Sequence, residues 1–347
     1  MNTLTTLLVA LTIVSGCAVK TSDQSKLTNV VIDQGVSQYV FFGRDRERIS
    51  DQGFIDTPAF VGAQLTYAWK ELESEENVYD FAEIEHDLEF LKQHGKQLFI
   101  QLQDTTFNPQ KAAVPQYLRT EPRYEGGVVF QYDDAGQPEG LVAMRWHPAV
   151  QEQFHKLLTA LGGKFDGKIA GINLQETSIG VSASGPHAPA GFTYPGYRDA
   201  ILANMTALKR AFPTSVAMQY ANFMPGEWLP DDDLGLLQSV FQHGREHDIA
   251  VGAPDLMPKK PNQQNHAYRF MSELKTTMKL GVAVQDGNYT GTTGNGSAPD
   301  PSTSIVPDLA EYATHHLGVQ YIFWGAQEPY FSRDVVPYFR QDKHAKH

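Results

Sequence analysis

A carboxylate follows a predicted core strand at Glu176. Residues 171–177, with the sequence GINLQET, begin as an apolar run typical of a buried strand and continue, without a turn residue, into Gln175 and Glu176. Burial beside aromatic residues would raise the pKa of Glu176, so that it keeps a proton near neutral pH. The alternative is a carboxylate that only forms a salt bridge to a neighbouring strand end. We favour a general acid, because pKa values shifted by burial cluster at functional sites.

The rest of the chain alternates between strand and helix patterns. Runs rich in β-forming residues predict eight strands, at 38–43, 60–69, 97–103, 171–176, 215–222, 249–252, 280–285 and 319–324. Apolar residues at helical spacing predict helices between them, at 80–94, 150–161, 198–211, 233–247, 266–278 and 307–316. Strand–helix–strand units in one domain imply right-handed crossovers and a parallel sheet.

Long segments follow the third, fourth and seventh predicted strands, at 104–148, 180–197 and 287–304. A barrel concentrates such variation on the rim that carries its active face. We therefore predict an α/β fold, a (β/α)8 barrel over residues 36–340, with its chemistry at that rim.

Two short motifs resemble a known family. The segment Trp69-Lys70-Glu71-Leu72-Glu73, followed by Tyr79-Asp80-Phe81, resembles the Trp-x-x-Leu-Glu-Pro and Tyr-Asp-Phe signature of retaining glycoside hydrolases of clan A, with Ser74 in place of the proline. The resemblance implies a (β/α)8 barrel that cleaves oligo- or polysaccharides. It also implies an acid/base Glu after strand 4 and an aromatic residue in strand 8, where Glu176 and Trp324 stand. Gln175 occupies the position of the Asn that holds the sugar 2-hydroxyl.

Glycosidic cleavage needs a second carboxyl group, which attacks or activates water. The family places a Glu at the end of strand 7, where this chain has Asp286. The shorter Asp286 favours a water-activating base, although Asp-Gly is also a common turn pair. Glu328, flanked by aromatic residues after strand 8, is a second candidate, with a solvent-exposed loop carboxylate as the equal alternative. Asp255, after strand 6, is a third, for which fixing the loop is the favoured alternative to binding a hydroxyl. Since the strand-7 Glu is absent, a non-catalytic carbohydrate-binding barrel is the alternative function.

Aromatic and amide side chains near strand ends are the predicted substrate contacts. Aromatic rings stack on the C–H faces of sugars, while amides and carboxylates bind the hydroxyls. Any one of these rings is more often part of the core packing than a ligand contact, and Trp69 and Trp324 are the strongest candidates for stacking. The other predicted contacts are Tyr67, Gln103, Asp104, Gln175, Asn222, Asp255 and Tyr289. An amide-rich rim suits neutral sugars better than anionic ones.

Composition argues against several other functions. The formal net charge is −12, and Lys and Arg form no larger cluster than Lys259-Lys260, so we expect no nucleic-acid partner. The sequence has no His-x-His or His-Glu-x-x-His spacing for a metal, and its Gly-rich stretch at 291–296 lacks the Lys-Ser/Thr of a phosphate loop. We therefore expect no metal and no cofactor.

The first residues predict export. An apolar run at 7–14 is too short to span a bilayer and ends in Val14-Ser15-Gly16-Cys17. This ending resembles the lipobox of bacterial lipoproteins, which implies lipidation of Cys17 and a place in the outer membrane or periplasm, with membrane contact only through the anchor. A plain secretory signal or a buried apolar segment is the alternative. Residues 1–17 would be the signal peptide, 18–35 a tether and 341–347 a disordered tail.

Overall fold

The computed structural model describes residues 35–285, 287–290 and 304–341. The predicted signal peptide with Cys17, the tether up to residue 34, Asp286 and the tail from residue 342 lie outside these ranges. The predictions made for them stay predictions.

Eight parallel strands form the centre of the fold. They are β1 Ser37–Gly43, β2 Phe60–Ala68, β3 Gln97–Gln103, β4 Gly171–Leu174, β5 Val216–Tyr220, β6 Ala250–Ala253, β7 Leu280–Val284 and β8 Tyr321–Gly325. Each strand pairs with its neighbours in chain order, and β8 pairs with β1, so the sheet closes into a barrel. The predicted (β/α)8 barrel is confirmed.

Helices surround this barrel. The main ones are α1 Ala82–Gln93, α2 Pro148–Phe165, α3 Tyr194–Ala211, α4 Leu236–Glu246, α5 Ala267–Leu274, α6 Val306–Glu311 and α7 Val336–Gln341. Shorter helical segments are Arg46–Ser50, Gln52–Ile55, Trp69–Leu72, Gln116–Thr120, Pro122–Tyr124, Pro261–Asn265 and Asn288–Thr290, with π-helical turns at Tyr312–Leu317 and Phe331–Val335. No helix in the described ranges is both long and apolar enough to cross a membrane.

The segment after β3 is more ordered than its composition suggests. It contains a three-stranded antiparallel sheet made of Thr105–Thr106, Val128–Tyr132 and Pro138–Ala143. A separate hairpin of Glu73–Glu75 and Val78–Tyr79 follows β2. The strands of the larger sheet are short, and short helices and turns separate them, so the sequence shows no sustained alternation there.

Large aromatic side chains fill the lower part of the barrel, which we call the floor. The floor consists of the inward-facing Tyr39, Phe99, Met218, Tyr220 and Phe323, all buried. The ring of Phe99 lies 4.9 Å from that of Phe323 and 5.6 Å from that of Tyr39, centroid to centroid. Aromatic pairs at such separations contribute about 0.5–1.5 kcal/mol beyond the area they bury.

Glycines on neighbouring strands make room for the floor. A Cβ atom added at Gly171 in β4 would lie 2.6 Å from the ring of Phe99 and 2.7 Å from the carbonyl oxygen of Val216. One added at Gly281 in β7 would lie 2.8 Å from the methyl carbon of Met218. The large side chains of the floor therefore occupy space that their neighbours leave empty.

Above the floor the interior becomes polar. The Gln64 amide donates to Asn173 Oδ1 at 2.8 Å and to the Tyr220 hydroxyl at 3.0 Å. One layer higher, the Thr66 hydroxyl donates to Gln101 Oε1 at 2.7 Å. Because these buried groups are hydrogen-bonded to one another, the polar layer avoids the cost of unpaired buried dipoles. It supports the rim where the carboxyl ends of the strands meet.

Candidate functional site

Glu176 lies just beyond the end of β4, which stops at Leu174. Its side chain is half-buried, and one of its carboxylate oxygens accepts a hydrogen bond from Asn222 Nδ2, beyond the end of β5. Burial raises the pKa of Glu176 to about 7, and the charges of Asp255 and Glu139 also raise it, while Asn222 and Arg145 act in the opposite direction. A carboxyl with this pKa can both give and take a proton near neutral pH.

A buried ion pair fixes the chain at this point. The Arg145 guanidinium donates to both carboxylate oxygens of Asp104 at 2.7 Å and to the backbone carbonyl of Glu176 at 3.0 Å. It also donates to the hydroxyl of Tyr197 at 2.8 Å, and that hydroxyl donates to the carbonyl of Thr177 at 3.0 Å. The network holds the backbone carbonyls of Glu176 and Thr177, so it orients Glu176 through the backbone.

Amide side chains join the strand ends to each other: the predicted Gln175 and Asn222, together with Gln219, which was not predicted. Gln175 Oε1 accepts from the backbone N–H groups of Asp104 and Thr105 at 2.8 and 2.7 Å. The Gln219 amide donates to the carbonyl of Gln175 at 2.6 Å. Asn222 Oδ1 accepts from the backbone N–H of Phe223 at 2.9 Å while its amide nitrogen holds Glu176. These side chains position the rim, and Asn222 alone among them contacts the candidate acid.

Among the candidates for the second carboxyl that the structure describes, Asp255 is the one whose charge affects the pKa of Glu176. It follows β6, and Asn288 Nδ2 donates to its Oδ1 at 3.1 Å. Burial raises its pKa, and the Asn288 hydrogen bond and Lys260 lower it. Because its charge in turn raises the pKa of Glu176, the two carboxyls favour a state in which Glu176 holds the proton.

Glu328 is engaged elsewhere on the rim. Its carboxylate accepts from Arg48 Nη2 at 2.9 Å and from the Ser332 hydroxyl at 2.8 Å, and its side chain is 45 % exposed. This pair connects the turn after β1 to the loop after β8. Asp286, the remaining candidate, lies outside the described residues.

Four predicted stacking residues are in the wrong place for that role. Tyr67, Trp69, Tyr289 and Trp324 are each at most 2 % exposed. Trp324 packs against Phe339 of α7, with ring centroids 5.5 Å apart, and its Nε1 donates to Gln38 at 2.7 Å. These rings lie in the core, where they present no free face to a sugar, so the prediction of stacking is corrected.

The polar residues Asp104 and Gln103 are also occupied. Asp104 is buried in its ion pair with Arg145, so it positions the site and does not face a ligand. Gln103 Oε1 accepts from Arg44, a residue that also pairs with Glu71 at 2.8 Å. Both side chains therefore tie strand ends to neighbouring loops.

The family-like motif after β2 has a structural role here. The Glu71 carboxylate accepts from the backbone N–H of Ala68 at 2.9 Å. The buried Glu73 carboxylate accepts from Trp69 Nε1 at 2.7 Å and from the N–H of Asn77 at 2.8 Å. The motif thus fixes the turn between β2 and the hairpin that follows.

Two residues of the rim were missed in the sequence. Glu139, in the strand Pro138–Ala143, is half-buried and its charge contributes to the pKa of Glu176. Trp228, in the loop after β5, is 47 % exposed. Both lie in segments without helical or strand periodicity, and the sequence signal that could have singled them out is weak. For Trp228 it is the presence of a large aromatic residue between Gly226 and a run of three aspartates.

Neither a group of metal-ligating side chains in the described ranges nor a match to a family model or a curated protein accompanies this site. Within the part of the chain that the structure describes, no group of three or more His, Cys, Asp and Glu side chains could hold a metal ion. No family model matches the chain, and no curated protein matches it in sequence.

Proposed function

We propose that the protein is a glycoside hydrolase in which Glu176 is the acid/base and Asp255 is the second carboxyl. The observation that carries the proposal is the pKa of about 7 at Glu176, at the end of the fourth strand of a (β/α)8 barrel. Catalytic groups in such barrels stand at the carboxyl ends of the strands. Two carboxyls with different pKa values are what glycosidic cleavage requires.

The reaction uses the two groups in opposite protonation states. Protonated Glu176 donates its proton to the glycosidic oxygen as the bond from that oxygen to the anomeric carbon breaks. Ionised Asp255 either attacks the anomeric carbon or takes a proton from the water that does so. The Asn222 amide then stabilises the new carboxylate of Glu176 through the hydrogen bond that it already makes. Arg145 keeps the acid in position by holding its backbone carbonyl.

The resemblance to clan A supports the proposal at the level of the fold. The residues of the motif after β2 hold a turn, so they carry no chemistry themselves. The order of strands and the position of Glu176 agree with that clan, while the second carboxyl comes from β6 in place of the clan's strand 7.

A Glu176→Gln variant tests the proposal. Initial rates would be measured by reducing-end release from a panel of neutral and anionic polysaccharides. Binding would be measured by affinity electrophoresis in gels that contain the same polysaccharides. Loss of the proton donor should reduce turnover by about 10²- to 10⁴-fold while affinity is kept. Glu328→Gln is the matched control, and its turnover should stay close to that of the wild type.

Two outcomes would contradict the proposal. If Glu176→Gln keeps wild-type turnover, Glu176 is not the acid. If the wild type binds polysaccharides but releases no reducing ends from any of them, the protein is a carbohydrate-binding barrel.

A further inference from the structure

Trp228 is a large aromatic side chain on the active rim that the fold leaves open to solvent. It lies in the loop between β5 and α4, residues 221–235, and is 47 % exposed. Trp69 and Trp324 are at most 1 % exposed. A single exposed apolar residue is ordinary on a protein surface, so its significance depends on how it is held.

Neighbouring rings hold the indole in one orientation. The ring of Phe223 stacks parallel to that of Trp228, with centroids 5.8 Å apart and an interplanar angle of 10°. The ring of His266 meets both, at 5.0 Å from Trp228 and 4.7 Å from Phe223. The indole therefore has a supported side, and its exposed fraction faces outward.

His266 is itself locked in one tautomer. It is fully buried, its Nε2 accepts from the backbone N–H of Leu229 at 2.9 Å, and its Nδ1 donates to the carbonyl of Asn262 at 2.7 Å. Burial lowers its pKa, so the ring is neutral near pH 7.

The backbone of the loop is equally constrained. The N–H and carbonyl of Trp228 both bond to Asp232, at 3.1 and 2.8 Å. The buried carboxylate of Glu227 accepts from the backbone N–H groups of Leu234, Leu236 and Leu237 at 2.7–3.1 Å, which caps the start of α4. A ring fixed before the ligand arrives loses little conformational entropy on binding.

A short chain of contacts connects this ring to the acid. The backbone N–H of Phe223 donates to Asn222 Oδ1 at 2.9 Å, and Asn222 Nδ2 donates to the Glu176 carboxylate. The ring that supports Trp228 therefore belongs to the residue next to the one that holds Glu176. Trp228 and Glu176 are thus connected through Phe223 and Asn222 on the same rim.

The charged residues that follow Trp228 favour a neutral ligand over an anionic one. Asp231, Asp232 and Asp233 are all exposed, and they follow Trp228 within five residues. Their negative charges repel an anionic ligand that comes within the roughly 8 Å over which charges act at physiological salt. An uncharged ligand with an apolar face is favoured.

We propose that Trp228, backed by Phe223 and His266, is a sugar-binding subsite for a neutral pyranose unit of the substrate, next to the bond that Glu176 cleaves. The inference rests on the proposed function and adds the substrate class to it. The C–H face of the pyranose stacks on the exposed indole face, and the nearby aspartates accept hydrogen bonds from its hydroxyls.

The test measures binding apart from hydrolysis, in a Glu176→Gln background. Trp228→Ala and Trp228→Phe are compared with Leu234→Ala, which removes a 57 % exposed apolar side chain from the same loop. Titrations with neutral oligosaccharides and with a uronate oligosaccharide are followed by calorimetry and by intrinsic fluorescence. Melting temperatures confirm that each variant is folded.

Trp228→Ala should weaken binding of the neutral oligosaccharide by about tenfold, and Trp228→Phe by less, because the smaller ring keeps part of the stacking. Leu234→Ala should bind as the background protein does. Sugar binding should also change the fluorescence of the background protein, and this change should be absent in Trp228→Ala.

Three results would overturn the subsite. Equal neutral-sugar affinity in Trp228→Ala and the background protein would do so while leaving the role of Glu176 intact. Preferred binding of the uronate oligosaccharide would refute the substrate class. A dimer in the wild type that becomes monomeric in Trp228→Ala, with unchanged sugar affinity, would show that a second copy covers the ring.

Discussion

The two ends of the barrel interior are built from different kinds of side chain. The floor is filled by interlocking aromatic rings, and every one of its large residues is at most 2 % exposed. The rim above it carries Glu176 and Asp255, two carboxyls whose burial raises their pKa values. Burial therefore stabilises the floor through apolar contact, whereas at the rim the same burial opposes ionisation of the two carboxyls.

The largest expected effect comes from breaking the floor. Phe99→Ala removes a fully buried ring that packs on Tyr39 and Phe323, and we expect it to lower the free energy of unfolding by about 3–5 kcal/mol. Urea denaturation followed by circular dichroism measures this. Phe107→Ala, at a residue 63 % exposed on the loop after β3, should change stability by no more than about 0.5 kcal/mol. Equal losses in the two variants would show that the floor is not the more stable region.

A second prediction concerns how the buried carboxyl of Glu176 makes the free energy of unfolding depend on pH. The pKa of Glu176 is about 7 in the folded protein against 4.5 in an unfolded chain. Between these two pH values the folded protein keeps a proton that the unfolded chain has lost, so wild-type stability falls as pH rises through this window. The loss approaches about 3 kcal/mol above pH 7.

Glu176→Gln should remove this dependence. The variant and the wild type should have similar stability near pH 4, and the variant should be the more stable one by up to about 3 kcal/mol at pH 8. Urea denaturation at several pH values measures the difference. Glu328→Gln, at an exposed ion-paired residue, should follow the wild-type curve. A difference between Glu176→Gln and the wild type that does not vary with pH would contradict the prediction.

The smallest expected effect is a change in the titration of Glu176 itself. Asp255→Asn removes a negative charge that raises its pKa, so the pKa should fall. Asn222→Ala removes a hydrogen bond to the ionised form, so the pKa should rise. Carbon-13 NMR of labelled glutamate carboxyls measures both shifts, and the spectrum of Glu176→Gln identifies the signal. Shifts of the same sign in the two variants would refute this arrangement of the rim.

The strands, and the position of Glu176 just beyond one of them, could be predicted because their signals are local. The run of β7 is apolar, that of β3 alternates glutamines with apolar residues, and Glu176 follows its strand after one residue. The face that each side chain occupies was harder to predict. Alternate residues of a barrel strand point inward and outward, so Phe323 joins the floor while the adjacent Trp324 packs against α7. Nearness to a strand end does not decide between these two directions.

The remaining features of the rim depend on tertiary contacts. In the sequence nothing marks Asp104 as an ion-paired residue. In the structure it pairs with Arg145, which lies 41 positions later. The exposure of Trp228 depends on Phe223 and His266, and the latter comes from the segment before α5. No periodicity in the sequence encodes either pairing, since each joins irregular segments that approach only in the folded chain.

The close fit between Gly171 and Phe99 has a consequence for how this sequence can change over time. A side chain at position 171 meets the Phe99 ring and the backbone of Val216, and a smaller residue at position 99 relieves only the first contact. Changes at the two positions are therefore expected to be epistatic, because a replacement of Gly171 becomes less harmful once position 99 has become smaller. Since a smaller residue at position 99 alone leaves a cavity, both single-step routes pass through a less stable protein. Positions 171 and 99, at the start of the strand that leads to Glu176, are therefore expected to change together.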